Sequence, residues 1–247
     1  AGAVAGFSSR GPSMDGLLKP EITAPGTDIM VADTGTQDKL APETGTSFSG
    51  PMTAGAVALV REALPERNAF EIKATIMNAA NLNVTNDPID ANPQTELAPI
   101  SMIGAGLVDV EKAVKLPVAA WVYNAEFDTN QAALSFGLEV LTSTTSMTKT
   151  VTVKNFSKME KTYNLRTEAR YNNDEQSGAL MWDMPSSVTI PAGKSVNFDV
   201  TLTIDPAKLP AWELENPFSA ADLAARSPAL TSSEFDGALV FDDPSTD

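Results

Sequence analysis

Ser47 is the residue of this 247-residue chain best placed for covalent chemistry. It lies in a loop of mostly small residues, Gly45-Thr46-Ser47-Phe48-Ser49-Gly50-Pro51, that runs straight into an apolar segment. A serine hydroxyl is a weak nucleophile at neutral pH and needs an adjacent base to take its proton, most often an imidazole. The chain contains no histidine. Its residues therefore make up part of a nucleophilic centre, without the usual base. Either other parts of a longer protein supply that base, or the chain is a scaffold or binding module in which the loop is a relic.

The element that would position Ser47 follows it directly. Thr53 to Leu64 has the length and residue types of a helix, and Ala54, Ala56, Val57, Ala58, Leu59 and Val60 leave no polar stripe before Arg61 and Glu62. Such a pattern predicts a buried helix, closed by Pro65. Ser47 falls just before its first turn, where Pro51 is suited because its missing N–H costs nothing. A helix N-terminus presents unpaired backbone N–H groups and positive potential, which stabilise charge developing on a substrate oxygen. Gly45 leaves room for close backbone approach. The same small polar residues also serve as ordinary helix caps, and the loop alone does not separate the two uses.

Four further islands stand around this loop. Gly6-Phe7-Ser8-Ser9-Arg10-Gly11-Pro12 and Leu18-Lys19-Pro20-Glu21-Ile22-Thr23-Ala24-Pro25-Gly26 precede it; the segments from Phe70 to Ala80 and from Gly104 to Asp109 follow. In that order the five islands resemble the subtilisin-like serine proteases, the subtilase family, over about residues 1–116. The resemblance implies that Ser47 is the nucleophile, that its own N–H is one oxyanion donor and that Thr46 supports that hole. It also implies that Phe7 and Glu43 line the leaving-group side of the cleft, a buried strand position being the alternative for Phe7. The family's catalytic aspartate, histidine and oxyanion asparagine precede the point where this chain begins, so none has a number here. Met52 stands where many relatives carry a packing histidine, which leaves the assignment of Ser47 intact. Further implications are secretion to the exterior or cell surface, a protein or peptide substrate, dependence on the upstream part of the same domain, and inactivity of the chain on its own.

Composition is consistent with a piece of a larger protein: the first residue is Ala1, no signal-peptide core is present, and no apolar run reaches the ~18 residues of a membrane span. Length suggests two domains. Hydrophobic content of 43% excludes wholesale disorder. A formal charge of −15 argues against nucleic acid or an anionic membrane as partner. Residues 1–116 hold 8 basic and 14 acidic side chains and 117–247 hold 9 and 18, so neither half is a specialised charged tail. Without cysteine there are no disulfides, and redox compartment leaves no trace. Asn86-Asp87-Pro88-Ile89-Asp90, Asn172-Asn173-Asp174-Glu175 and Asp242-Asp243 invite a calcium reading, but none has the spacing of a calcium loop. They are expected as solvated turns; no metal ligand is assigned and no cofactor is evident.

The first part is expected to be α/β, with Ala3–Phe7, Glu21–Ala24 and Ile29–Ala32 at the edge of a parallel sheet with packed helices. Asn68 and Glu71 form a capping box for a helix whose Phe70, Ile72, Ala74, Ile76 and Met77 should pack on the first. Residues 81–102, which include the glycosylation triplet Asn83-Val84-Thr85, are expected as an exposed loop. Asp109 should cap a final turn through Val114, with Pro117 ending the unit.

Beyond Pro117 the period changes to two. Leu134, Phe136, Leu138 and Val140 alternate with other residues; so do Val151 and Val153, then Tyr163 and Leu165, then Val196, Phe198, Val200, Leu202 and Ile204. Pro191-Ala192-Gly193-Lys194 joins the last run to Val188-Thr189-Ile190, and Ala238–Phe241 supplies another strand. An all-β antiparallel sandwich is implied. Next to a subtilase segment it resembles a fibronectin type III-like domain, giving domains at 1–116 and 117–247 with an insertion at about 206–236 that holds a short helix near Ala220–Arg226. Trp121, Trp182 and Trp212 are expected in core or contact surface rather than on a glycan platform.

Overall fold

The computed structural model describes residues 2–14, 16–209 and 234–245, with Asn173 as backbone only. Trp212 and the expected helix near Ala220–Arg226 lie outside the described residues.

In the first part, β1 (Ile29–Ala32) and β2 (Leu40–Glu43) form an antiparallel hairpin with Ile29 opposite Glu43. Four helices follow: α1 (Thr46–Ala63), α2 (Ala69–Ala79), α3 (Ile100–Ile103) and α4 (Val110–Lys115). The predicted capping box is present, with Glu71 N–H donating to Asn68 Oδ1 at 3.0 Å and Asn68 N–H donating to Glu71 Oε2 at 2.9 Å. Asp109 Oδ1 accepts the Lys112 N–H at 2.8 Å and so caps α4. Helices α1, α2 and α4 share a core of Val60, Ile72, Ile76, Ala79 and Ala113, the predicted packing of the second helix on the first. Burying each of the larger aliphatic side chains there contributes about 2 kcal/mol.

Four expectations are corrected. No parallel sheet forms among the described residues: Ala3 and Thr23 make only isolated parallel bridges, to Thr85 and Leu107. A strand needs a continuous partner edge, and β1 takes its partner from β2, a segment the sequence pattern did not mark. Helix α1 starts at Thr46 rather than Thr53, which places Ser47 inside its first turn and Pro51 in the helix interior. Pro51 therefore has no N–H to donate to the Ser47 carbonyl. Also, α1 is not buried all round; Ala56 and Val60 are, while Met52, Val57 and Leu59 lie 39–56% exposed. The 81–102 segment, expected as an exposed loop, buries Val84 and Ala98 in a small core with Ile103. Thr85 of the glycosylation triplet is buried, and its Oγ1 donates to the Asp87 carbonyl at 2.7 Å.

The second part is built from β3 (Val118–Asn124), β4 (Thr129–Gln131), β5 (Thr145–Asn155), β6 (Lys161–Ala169), α5 (Asn172–Gln176), β7 (Leu180–Asp183), β8 (Ser187–Ile190), β9 (Ser195–Ile204) and β10 (Gly237–Asp242). They form antiparallel sheets of order β4-β3-β5-β9-β7 and β10-β6-β8. Val118, Val122, Val151, Val153, Phe198 and Val200 of the larger sheet share one core with Tyr163, Leu165, Val188 and Ile190 of the smaller. The alternation read at β5, β6, β8, β9 and β10 thus marks real strands. It misleads at residues 134–140, which form no strand: Phe136 packs edge-on to Trp182, while Leu138 and Val140 are 80% and 92% exposed. Strands β8 and β9 do not pair across the turn at 191–194 either. β8 pairs with β6 and β9 with β5 and β7, so this turn carries the chain from one sheet to the other.

Candidate active site

The loop that carries Ser47 is tied down by backbone and side-chain bonds. Gly45 N–H donates to the Gly26 carbonyl at 2.8 Å, Phe48 N–H donates to the Gly45 carbonyl at 3.0 Å, and Asp28 N–H donates to Thr44 Oγ1 at 2.9 Å. Thr53 Oγ1 donates to the Ser49 carbonyl at 2.9 Å, tying the first turn to the second. Thr46 and Ser47 are the first two residues of the 18-residue helix α1, and both are exposed. Their N–H groups have no intrahelical acceptor and sit at the positive end of the helix dipole. Among the described residues no hydrogen bond engages Ser47 Oγ. A hydroxyl presented beside free N–H donors can be acylated while those donors stabilise the oxyanion that forms, and the chain has no histidine to take its proton.

Glu43, the last residue of β2, is exposed and lies next to the Thr44-Gly45 step that enters α1. Phe7 sits in a turn closed by Ser8 N–H donating to the Ala5 carbonyl at 2.9 Å and is 52% exposed, which overturns the buried-strand alternative. Among the described residues no hydrogen bond or ring contact joins Phe7 to the Ser47 loop. Sequence reasoning assigned no role to Gly26 or Asp28. The Ala24-Pro25-Gly26 island was visible, but its contact with the loop was not.

Two seams tie this part to the sandwich. In the first, Arg67, 3% exposed, donates to Thr75 Oγ1 and to the Leu116 carbonyl, each at 2.6 Å, with its guanidinium 4.0 Å over the Phe156 ring. Lys154 Nζ donates to Glu71 Oε1 at 2.6 Å, Ala120 N–H donates to Asn78 Oδ1 at 2.7 Å, and Trp121 packs edge-on to Phe70. Burial alone would raise the Glu71 carboxyl, but the bonds from Lys154 and Asn68 outweigh it and hold the group below its ordinary range. In the second seam, Arg170 and Tyr171 bond carbonyls of the 81–102 segment, Ile100 N–H donates to Asp236 Oδ2, and Glu234 accepts from Ser101 Oγ and pairs with Arg10 at 2.8 Å.

Asp174, expected in a solvated turn, is 5% exposed at this seam, and its Oδ2 has no partner among the described residues. Burial, then the Asp236 charge, push it up to about 7. Burial also pushes Asp236 up to about 6, against the Ile100 N–H. A carboxyl raised in the folded state binds more protons there than when unfolded, so stability falls as pH rises from about 4 to about 7. Asp174→Asn is expected to flatten that slope, raising the thermal midpoint by roughly 3 °C or more at pH 8 and little at pH 4. Melting curves across this range check it; an unchanged slope in the variant refutes it.

The other acidic clusters are engaged locally. Asn92 Nδ2 donates to Asp87 Oδ2 at 3.2 Å, and Arg166 Nε donates to Asp242 Oδ2 at 2.8 Å. Among the described residues no three acidic side chains converge as a metal cage, and no helix is long and apolar enough to cross a membrane.

Residues 1–106 match the Subtilase family. The chain is 33% identical to the minor extracellular protease Vpr of Bacillus subtilis over 86% of its own length and 24% of that protein's. It is 30% identical to the PI-type proteinase of Lactococcus lactis subsp. cremoris over 80% of its length and 11% of that relative's. To the subtilisin-like protease SBT3.11 of Arabidopsis thaliana it is 39% identical over 44% of its length and 16% of that relative's. The chain thus spans about a quarter or less of the length of these curated relatives.

Proposed function

Residues 1–106 being a segment of the subtilase family, we propose that the chain is the C-terminal part of the catalytic domain of a secreted serine endopeptidase, residues 1–116, followed by a fibronectin type III-like sandwich. Ser47 is its nucleophile. In the intact protein a histidine from the preceding sequence takes the Ser47 proton as Oγ attacks a peptide carbonyl. The Ser47 N–H, in a loop supported by Thr46, receives the negative charge developing on the carbonyl oxygen. The amine leaves with the proton, and water hydrolyses the acyl-enzyme.

One observation carries this reading: an exposed hydroxyl in the first turn of a long helix, beside N–H groups that the helix cannot satisfy. The uncovered apolar side chains of α1 and of the hairpin, among them Leu59, Val57, Met30 and Leu40, give it further support. They suit a surface against which the rest of an α/β domain packs. Glu43 and Phe7 belong to the leaving-group side in this reading.

The test is fluorophosphonate labelling followed by peptide mapping. The longer protein is expected to label at Ser47 and to cleave peptides, while residues 1–247 alone do neither. Stoichiometric labelling of the isolated chain together with turnover overturns the division of the catalytic residues. No labelling of the longer protein favours the second reading, a non-catalytic scaffold or binding module derived from a subtilase, which draws on the absence of histidine.

A further inference from the structure

The backbone beneath Ser47 has room for no side chain at one point. A Cβ built on Gly26 falls 2.2 Å from Ser49 Oγ and 2.9 Å from the Gly45 carbonyl oxygen. Neither separation is tolerable between non-bonded atoms, so one side must move. The chain leading to Gly26 is anchored three residues earlier, at Thr23. Thr23 donates to Gly106 O at 2.8 Å through its N–H and to Ile103 O at 3.0 Å through Oγ1, and its carbonyl accepts the Val108 N–H at 2.8 Å. Ser49 Oγ, a side-chain atom, can take part of the displacement by turning about its Cα–Cβ bond, whereas the Gly45 carbonyl oxygen is backbone, so the rest reaches the loop at residues 45–49. The two atoms struck belong to residues two before and two after Ser47, the very segment that aims its hydroxyl and N–H.

We propose that Gly26 is a positioning residue for Ser47: its bare Cα is the seat on which Gly45 and Ser49 rest, and the height of that seat sets where the nucleophile stands. The proposal rests on the reading of Ser47 as nucleophile. Its physical content is distance, since a misplacement of about 1 Å in a reacting group costs on the order of 100-fold in rate. The Gly45 N–H bond to the Gly26 carbonyl fixes the register of the loop along the seat, and the absent side chain fixes its depth.

The experiment uses the longer protein and compares wild type, Gly26→Ala, Ser49→Ala and the double variant. Readouts are the rate of fluorophosphonate labelling at Ser47, kcat and KM on a peptide substrate, and the thermal midpoint. Gly26→Ala is expected to lower the labelling rate and kcat on the order of 100-fold with KM little changed. Adding Ser49→Ala removes the oxygen at 2.2 Å and is expected to restore at least ~10-fold of that loss, being part of the same misplacement. If Gly26→Ala alone does not fold, the double variant measured against Ser49→Ala carries the comparison: an active double variant supports the seat, and an inactive one refutes it. Wild-type rates in Gly26→Ala, or a loss that Ser49→Ala does not relieve, overturn the seat while Ser47 remains the nucleophile. A wild type that never labels overturns the nucleophile reading itself and the seat with it.

Discussion

Ser47→Ala in the longer protein is expected to lower kcat on the order of 10⁶-fold, the scale of removing the nucleophile from a serine-protease centre, and to leave the thermal midpoint where it was. The second half is as diagnostic as the first. Ser47 is exposed, and among the described residues its hydroxyl bonds nothing, so its loss removes no packing and strands no buried group. A helix cap would behave in the opposite way: truncating one costs about 1 kcal/mol of stability and has no reason to touch turnover. Paired activity and melting measurements thus separate the two uses that the loop residues left open. A variant that melts several degrees lower while still cleaving peptides would assign the loop to capping.

Arg170→Ala is expected to cost roughly 2–3 kcal/mol, the range for losing charge-assisted hydrogen bonds to part-buried acceptors. From the end of β6 its guanidinium donates to the carbonyls of Ala98, Leu82 and Val84 at 2.8, 2.7 and 3.0 Å. Removing it leaves three acceptors of the 81–102 segment without their donor. Lysine does not replace it, because a single ammonium cannot span three carbonyls held at the angles of a planar fork. Arg170→Lys should therefore recover less than half of the lost stability. Denaturant unfolding measures both, and a loss under about 1 kcal/mol for Arg170→Ala would show that the segment stands without its plug.

Local chemistry was legible in the residues wherever it is settled by near neighbours in the chain. Asn68 and Glu71 are three apart, and a capping box needs nothing else; Asp109 caps α4 for the same reason. The alternation of β5, β6 and β9 survives because one face of each strand meets a core. Leu138 and Val140 show the same alternation with no core to meet, which no pattern of two can reveal. The pairing of β8 was hidden as well, since a four-residue turn between strands serves a hairpin and a crossing between sheets alike.

The amino-acid order by itself determined that Ser47 is the candidate nucleophile, that no histidine of this chain can serve it, and that a helical part gives way to strands after Pro117. These depend on residue type and on spacing along the chain. Tertiary structure decided the rest. It drew Ser47 into the first turn of α1, set Gly26 under the loop from about twenty positions away, put Val84 and Ala98 of the 81–102 segment into a core, and buried Asp174 against Asp236. Each of these depends on which distant backbone comes within a few ångströms, and that is settled by packing of the whole fold rather than by any stretch of it.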